Sequence, residues 1–272
     1  MERKNDLRIV LVTGASSGLG KVCADYLSTK GYKVYGTSRK PNQKINPFEM
    51  IQMDVNDDAS VKQGIKHIIN KEGHLDVVIN NAGVGIAGSV EDTSIEEIKF
   101  QFETNFFGAL RVCHEALPIM RIQQFGYIIN IGSISGLIGV PFQGAYSASK
   151  SALQSLTEVL RMEVKPYGVH AVLIEPGDFN TGFTDNRINT KQSQSNPIYK
   201  KRFNKAVQIM AEDEKKGHNP KSIAVLMEKI INNPSPRPRY MIGPGLELFA
   251  VHLRKFIPSK FFEWIIMKNY NV

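Results

Sequence analysis

The stretch that most constrains this chain is a strand-like run, Arg8 to Thr13, that passes straight into Gly14-Ala15-Ser16-Ser17-Gly18-Leu19-Gly20 and then into a helical pattern from Lys21 to Leu27. Glycines at these three positions let a strand turn tightly into a helix, which brings backbone N–H groups and the helix N-terminus against a pyrophosphate. The same residues, Gly14 to Gly18, also fit the Gly-x-Ser-x-Gly elbow of α/β-hydrolases, with Ser16 as nucleophile and a histidine such as His252 downstream. Two things weigh against that alternative. The turn follows the first strand, so no upstream strand and loop exist to build half an oxyanion hole, and nothing in it accounts for Gly20.

Short buried-strand runs alternate with helical patterns along most of the chain. Arg8–Thr13, Lys33–Thr37, Phe48–Asp54, Leu75–Asn80, Tyr127–Gly132, Val169–Glu175 and Tyr240–Gly243 read as strands. Gly18–Ser28, Asp57–Lys71, Ile95–Gln123 and Tyr146–Lys165 read as helices between them. Such alternation makes right-handed crossovers, hence a parallel sheet covered on both faces. The expected fold is α/β, a Rossmann-like doubly wound parallel sheet of about seven strands in a single domain over residues 1–272. Between Thr181 and Pro220 there is no strand signal, only a polar stretch with a helix around Tyr199–Lys215. Lying after the sixth strand, at the sheet's ligand-binding edge, it is expected to be a helical substrate lid.

Composition narrows the class. With 42% hydrophobic residues among 272, the chain has too much apolar content for disorder, and two cysteines cannot make a disulfide framework. Cys23 and Cys113 fall in helical patterns and are expected to be small core residues. No apolar run reaches about 18 residues, and Met1 to Arg8 is too charged for a secretory signal. A cytoplasmic, reducing compartment is the expectation. The six histidines show no ligand spacing, so no metal is expected.

Nucleotide preference is read at the end of the second strand, where a carboxylate suits a ribose 2′-hydroxyl and a guanidinium suits a 2′-phosphate. Here the residues are Thr37-Ser38-Arg39-Lys40. With no acid present and two cations following, NADP(H) is the expected cofactor and Arg39 its selector.

Further motifs occur in a fixed order: Asp54-Val55 after the third strand, Asn80-Asn81-Ala82-Gly83 closing the fourth, and Asn105 in the long helix. Ser133 follows the fifth strand, Tyr146-Ser147-Ala148-Ser149-Lys150 opens the next helix, and Pro176-Gly177 with Thr181 follows the sixth. A lone Tyr-x-x-x-Lys means little, since nine tyrosines give about one chance match. In this order, with serine 13 residues before tyrosine, the set resembles the short-chain dehydrogenase/reductase family over nearly the whole chain. The resemblance implies that Tyr146 is the proton donor and acceptor, Ser133 the hydrogen-bond partner of the substrate oxygen, Lys150 the holder of the nicotinamide ribose, and Asn105 the anchor of a proton-relaying water. It also implies cofactor contacts from Gly14, Ser16, Ser17, Gly18, Leu19 and Gly20, from Arg39, Asp54, Val55, Asn81, Ala82 and Gly83, and from Pro176, Gly177, Phe179 and Thr181. A non-catalytic nucleotide sensor on the same fold would not need the Ser, Tyr, Lys and Asn set.

Tyr146 and Lys150 lie one helical turn apart on one face. A phenol with pKa near 10 must fall by roughly 2 to 3 pH units to exchange protons near neutrality, about 3 to 4 kcal/mol. One cation at about 4 Å, at an effective dielectric near 20, supplies about 4 kcal/mol, so the lysine is expected to lower the phenol.

The walls around this chemistry are apolar: Leu137 to Phe142, Val84 to Ala87, Phe179 and Phe183. They favour a hydrophobic alcohol or ketone, and the stretch up to Tyr146 looks like the hydroxysteroid and retinol dehydrogenase branch, which implies a steroid-, retinoid- or lipid-like substrate. A 3-oxoacyl thioester on an acidic carrier is the alternative. The net charge of +8 is uneven: residues 1–186 hold 18 Lys/Arg against 20 Asp/Glu, whereas residues 187–272 hold 16 against 6, a net of +10. The basic excess lies outside every nucleotide motif, and no nucleic-acid partner is expected. It faces a membrane, an acidic carrier or water. The tail, about 246–272, carries helically spaced apolar residues and the single tryptophan, and is expected either to bury them against the domain or a neighbouring subunit, or to make peripheral membrane contact. By resemblance, the long helices imply a homodimer or homotetramer.

Overall fold

In the computed structural model, which describes residues 7–41 and 47–272, strand β1 (Ile9–Val12) shows how the sheet divides two cores. Successive side chains of a strand point to opposite faces. Val10 and Val12 therefore join Cys23, Ala24 and Leu27 of α1 (Gly18–Thr29) and Ile223, Met227 and Ile230 of a later helix. Ile9 and Leu11 meet Val61, Ile65 and Ile68 of α2 (Asp58–Glu72) on the other side. The two cysteines follow the same division, Cys23 in one core and Cys113 in the other, both free and buried.

The remaining strands are β2 (Lys33–Ser38), β3 (Glu49–Gln52), β4 (Val77–Asn80), β5 (Ile86–Ala87), β6 (Gly126–Ile131), β7 (Val169–Pro176), β8 (Ile188–Asn189) and β9 (Arg239–Ile242). Seven form one parallel sheet in the order β3-β2-β1-β4-β6-β7-β9. The chain runs outward from β1 to β3, returns to β4 and continues the other way. The switch point thus lies between β1 and β4, where ligands of doubly wound sheets bind. All seven expected strands are present, each shifted by no more than a few residues, because strands buried on both faces read as continuous apolar runs. The charged start lies, through residue 6, outside the described residues.

Two expectations are corrected. The segment after β7 does contain a strand: β8 pairs in parallel with β5, through Ile188 N–H to Gly85 O and Thr190 N–H to Ala87 O, both 2.9 Å. Two residues bonded to a partner about a hundred positions away leave no local signal. The single helix expected over Ile95–Gln123 is α3 (Ile95–Phe102) and α4 (Gly108–Gln123) joined by a π turn, Glu103–Phe107. Beyond them come α5 (Gly144–Val164), α6 (Lys191–Ser195), α7 (Lys200–Lys216), α8 (Lys221–Ile231), α9 (Gly245–Leu253) and α10 (Ser259–Tyr270). Among the described residues no helix is long and apolar enough to cross a membrane.

Candidate active site

The glycine turn is held from below by Thr13. Its hydroxyl accepts from the N–H groups of Asn81 (3.0 Å) and Ala82 (2.9 Å), while Asn81 Nδ2 donates to the carbonyls of Thr13 (2.9 Å) and Gly14 (3.3 Å). The end of β4 therefore positions the end of β1. Thr13 is a residue whose role sequence spacing alone did not assign.

Two glycines of the turn do different work. Gly14 has φ +66° and a side chain there would meet the Ala82 Cα at 2.9 Å, so it permits strand-to-strand approach. Gly18 has φ +57° and open space where its Cβ would stand. Among the described residues no side chain caps α1 and its first turn holds no acid. The result is an open cradle before unpaired helix N–H groups, which suits an anionic pyrophosphate. Ser16 and Ser17 are exposed at its rim. These residues fit a dinucleotide. Arg39 and Lys40 are exposed beyond β2, while Asp54 is half-buried and Val55 joins the α2 core. Pro176 and Gly177 close β7, and Thr181 follows. Phe179 has its ring buried in the α1-side core, edge-on to His218, where the main chain also bridges to His218. What it offers a ligand is its main chain.

Ser133, Tyr146, Lys150 and Asn105 come together at the same edge. Ser133 leaves β6, accepts from Ser135 N–H (3.1 Å) and opens a short 3₁₀ turn, Ile134–Gly136. That turn packs so closely on α5 that a Cβ on Gly136 would stand 3.0 Å from the Lys150 main chain. Lys150 is buried, donates to Ile131 O at 2.7 Å, and places its ammonium 5.8 Å from the centre of the Tyr146 ring. Burial pulls that ammonium down to about 8.

The expected lowering of the phenol is not what this arrangement gives. Burial pushes Tyr146 up to about 12, with the Ser133 hydroxyl drawing it only partly back. The lysine is itself desolvated and bonded to a carbonyl, so its charge does not offset the loss of water around the phenol.

Asn105 sits in the π turn and is buried rather than on the helix surface. Its Oδ1 accepts from Val84 N–H (2.8 Å), and its Nδ2 donates to Val84 O (3.0 Å) and Ser149 Oγ (3.2 Å). The amide is thus taken up by protein, clamping the loop after Gly83 to α5.

One aromatic ring stands against Tyr146. Phe183 lies over Gly85 with its ring 5.9 Å from that of Tyr146, and Phe142 meets Tyr199 and Phe203 edge-on. Phe142 adopts φ +62°, a left-handed conformation that bulky residues rarely hold, four residues before the tyrosine. Leu137 and Ile138, expected in the pocket wall, pack instead with α9 and α10. From the segment after β7, Arg187 and Glu214 form a buried ion pair that also engages Thr184.

A protein-family model described as short chain dehydrogenase matches residues 8–192. The chain belongs to the short-chain dehydrogenase/reductase family. It is an oxidoreductase of that family, which uses a nicotinamide cofactor. A 3-ketodihydrosphingosine reductase of Bacteroides thetaiotaomicron is 40% identical over 265 residues, covering 97% of this chain and 98% of that protein. A probable short-chain type dehydrogenase/reductase of Helicobacter pylori is 35% identical over 259 residues, covering 94% and 95%. Among solved structures, a short-chain dehydrogenase from Streptomyces avermitilis superposes with a TM-score of 0.83 at 27% identity, covering 97% of this chain and 98% of that one. Family membership disposes of the hydrolase elbow. Consistent with this, His252 is engaged by the Leu248 carbonyl of its own helix (2.7 Å).

Proposed function

We propose that this short-chain dehydrogenase/reductase uses NADPH to reduce the ketone of a long-chain, lipophilic substrate of the sphingoid-base type. The observation that carries the chemistry is the meeting of Ser133, Tyr146 and Lys150 beside the open Gly18 cradle. The substrate class is supported by the Phe183 ring against Tyr146 and by whole-length similarity to the 3-ketodihydrosphingosine reductase. NADPH is supported by Arg39 at a strand end with no acid.

When bound, the nicotinamide supplies the hydride that reduces the carbonyl carbon. The protein's own part is at the oxygen, where Ser133 Oγ donates a hydrogen bond and Tyr146 Oη delivers the proton as the alkoxide forms. A phenol raised to about 12 is loaded with its proton at neutral pH, which suits reduction; in the oxidising direction it must first lose that proton, which burial opposes. Lys150, at about 8, is still mostly an ammonium there. The outward side chains of Phe107, Val159 and Met162 on the long helices suit a homodimeric or homotetrameric contact.

The deciding experiment is NADPH and NADH oxidation with 3-ketodihydrosphingosine, a steroid ketone, a retinoid aldehyde and a 3-oxoacyl thioester. NADPH-driven turnover is expected to be highest with the first. A higher kcat/KM on the thioester would replace the substrate assignment, and no turnover on any carbonyl would leave a nucleotide sensor.

A further inference from the structure

The last two helices each turn an apolar stripe outward. On α9, Leu246 and Phe249 are 81% and 60% exposed and three residues apart on one side, and in the turn after it Phe256 is 83% exposed. On α10, Phe261, Trp264 and Met267 are about half exposed and again three apart. Phe261 and Trp264 stack with ring centres 5.7 Å apart, and the Lys268 ammonium lies 5.2 Å from the Trp264 ring centre. The opposite faces of these helices are already used: Val251 and Phe262, with Leu248, Ile257 and Ile266, pack on Ile134 and Ile138. The outward stripes are therefore a second face. Single exposed apolar residues need no explanation, but six on two consecutive helices and the turn between them call for an occupant.

Charge selects the occupant. Arg254, Lys255, Lys260 and Lys268 are all exposed around the stripes. Of the two carboxylates on these helices, Glu247 is half-buried and accepts from Asp178 N–H, which leaves Glu263 outside. A second copy docked on this face about a two-fold axis would set the cations against themselves. An anionic bilayer meets them with opposite charge and accepts the aromatic side chains at its headgroup boundary.

We propose that α9 and α10 form an interfacial docking face for an anionic lipid bilayer, with Phe249, Phe256 and Trp264 entering the headgroup–acyl boundary and Arg254, Lys255, Lys260 and Lys268 engaging lipid phosphates or carboxylates. The inward side of the same helices packs next to the active site, since Ile134 follows Ser133 and Glu247 rests on Asp178. Docking would thus hold the substrate mouth close to the layer in which a lipophilic ketone resides. That consequence rests on the proposed substrate class; the docking itself does not.

Vesicle binding, measured without substrate, tests it on the full chain. Wild type, F249S/F256S and R254E/K255E/K260E are co-sedimented with phosphatidylcholine vesicles and with vesicles containing phosphatidylserine, at low and high salt. Thermal melting and NADPH titration establish that the variants fold. Trp264 is the only tryptophan, so its emission reports on the face directly. Wild type is expected to bind phosphatidylserine vesicles at least tenfold more strongly than phosphatidylcholine, with a blue shift of Trp264 that salt reverses, and each variant to lose at least tenfold in binding. The proposal is overturned by absence of wild-type binding, by variants that bind as well as wild type, or by F249S/F256S changing the oligomeric state while vesicles leave Trp264 emission unmoved. The last result would make the face a subunit contact.

Discussion

Replacing Gly18 with alanine separates the nucleotide seat from the fold. At φ +57° an alanine incurs the left-handed penalty, roughly 1 to 2 kcal/mol. Nothing lies within 4 Å of the new methyl, so no steric cost adds to it. For a chain of this size, 1 to 2 kcal/mol lowers Tm by roughly 2 to 8 °C. Gly18 is the first residue of α1, beside the first N–H groups of the helix. A pyrophosphate pushed off two of those donors loses charge-assisted hydrogen bonds of about 1.5 to 3 kcal/mol each, so the Kd for NADPH should rise by roughly 100-fold or more. Gly14→Ala is the contrasting case, because its left-handed backbone and the 2.9 Å approach to the Ala82 main chain act together against folding. Scanning fluorimetry of the apo proteins and calorimetric titration with NADPH read the two effects separately. Gly18→Ala binding NADPH within threefold of wild type, or melting as low as Gly14→Ala, would refute the cradle.

Arg39→Ala should raise the Kd for NADPH by roughly 10- to 100-fold, the worth of a charge-assisted phosphate contact, and leave NADH unchanged; equal losses in parallel titrations would remove Arg39 as the selector. Asp178 gives a pH dependence. Burial, with Glu247 beside it, pushes its carboxyl well above the roughly 4 of an unfolded chain. The folded state therefore holds a proton that the unfolded chain has released between the two, and stability falls as pH rises through that window. Tm should therefore fall as pH rises above neutrality, and Asp178→Asn should flatten the slope; an equally steep slope in the variant would count against it.

How much of this was legible in sequence follows from how local each signal is. The seven strands were readable because burial on both faces demands unbroken apolar runs, and the glycine turn because its positive φ values restrict residue choice. Ser133, Tyr146 and Lys150 were readable because one strand end and one helical turn fix their spacing. Their energetics were not: the phenol's high pKa depends on desolvation by the surrounding fold, which a pair of residues one turn apart does not disclose. The inward turn of Asn105 was equally hidden, since its partner Val84 lies 21 positions away. The β5–β8 pairing, the seat of Glu247 on Asp178 and the buried Arg187–Glu214 pair all join distant segments.

The most direct test of the central claim is the Tyr146→Phe variant, which keeps the ring against Phe183 and removes only the phenolic oxygen. With 3-ketodihydrosphingosine as substrate, NADPH oxidation should fall by roughly three orders of magnitude or more, the scale of a lost proton donor, while the Kd for NADPH stays within a few-fold of wild type. Turnover within tenfold of wild type would contradict the assignment of Tyr146 as the proton donor, and with it the reductase chemistry built on this site.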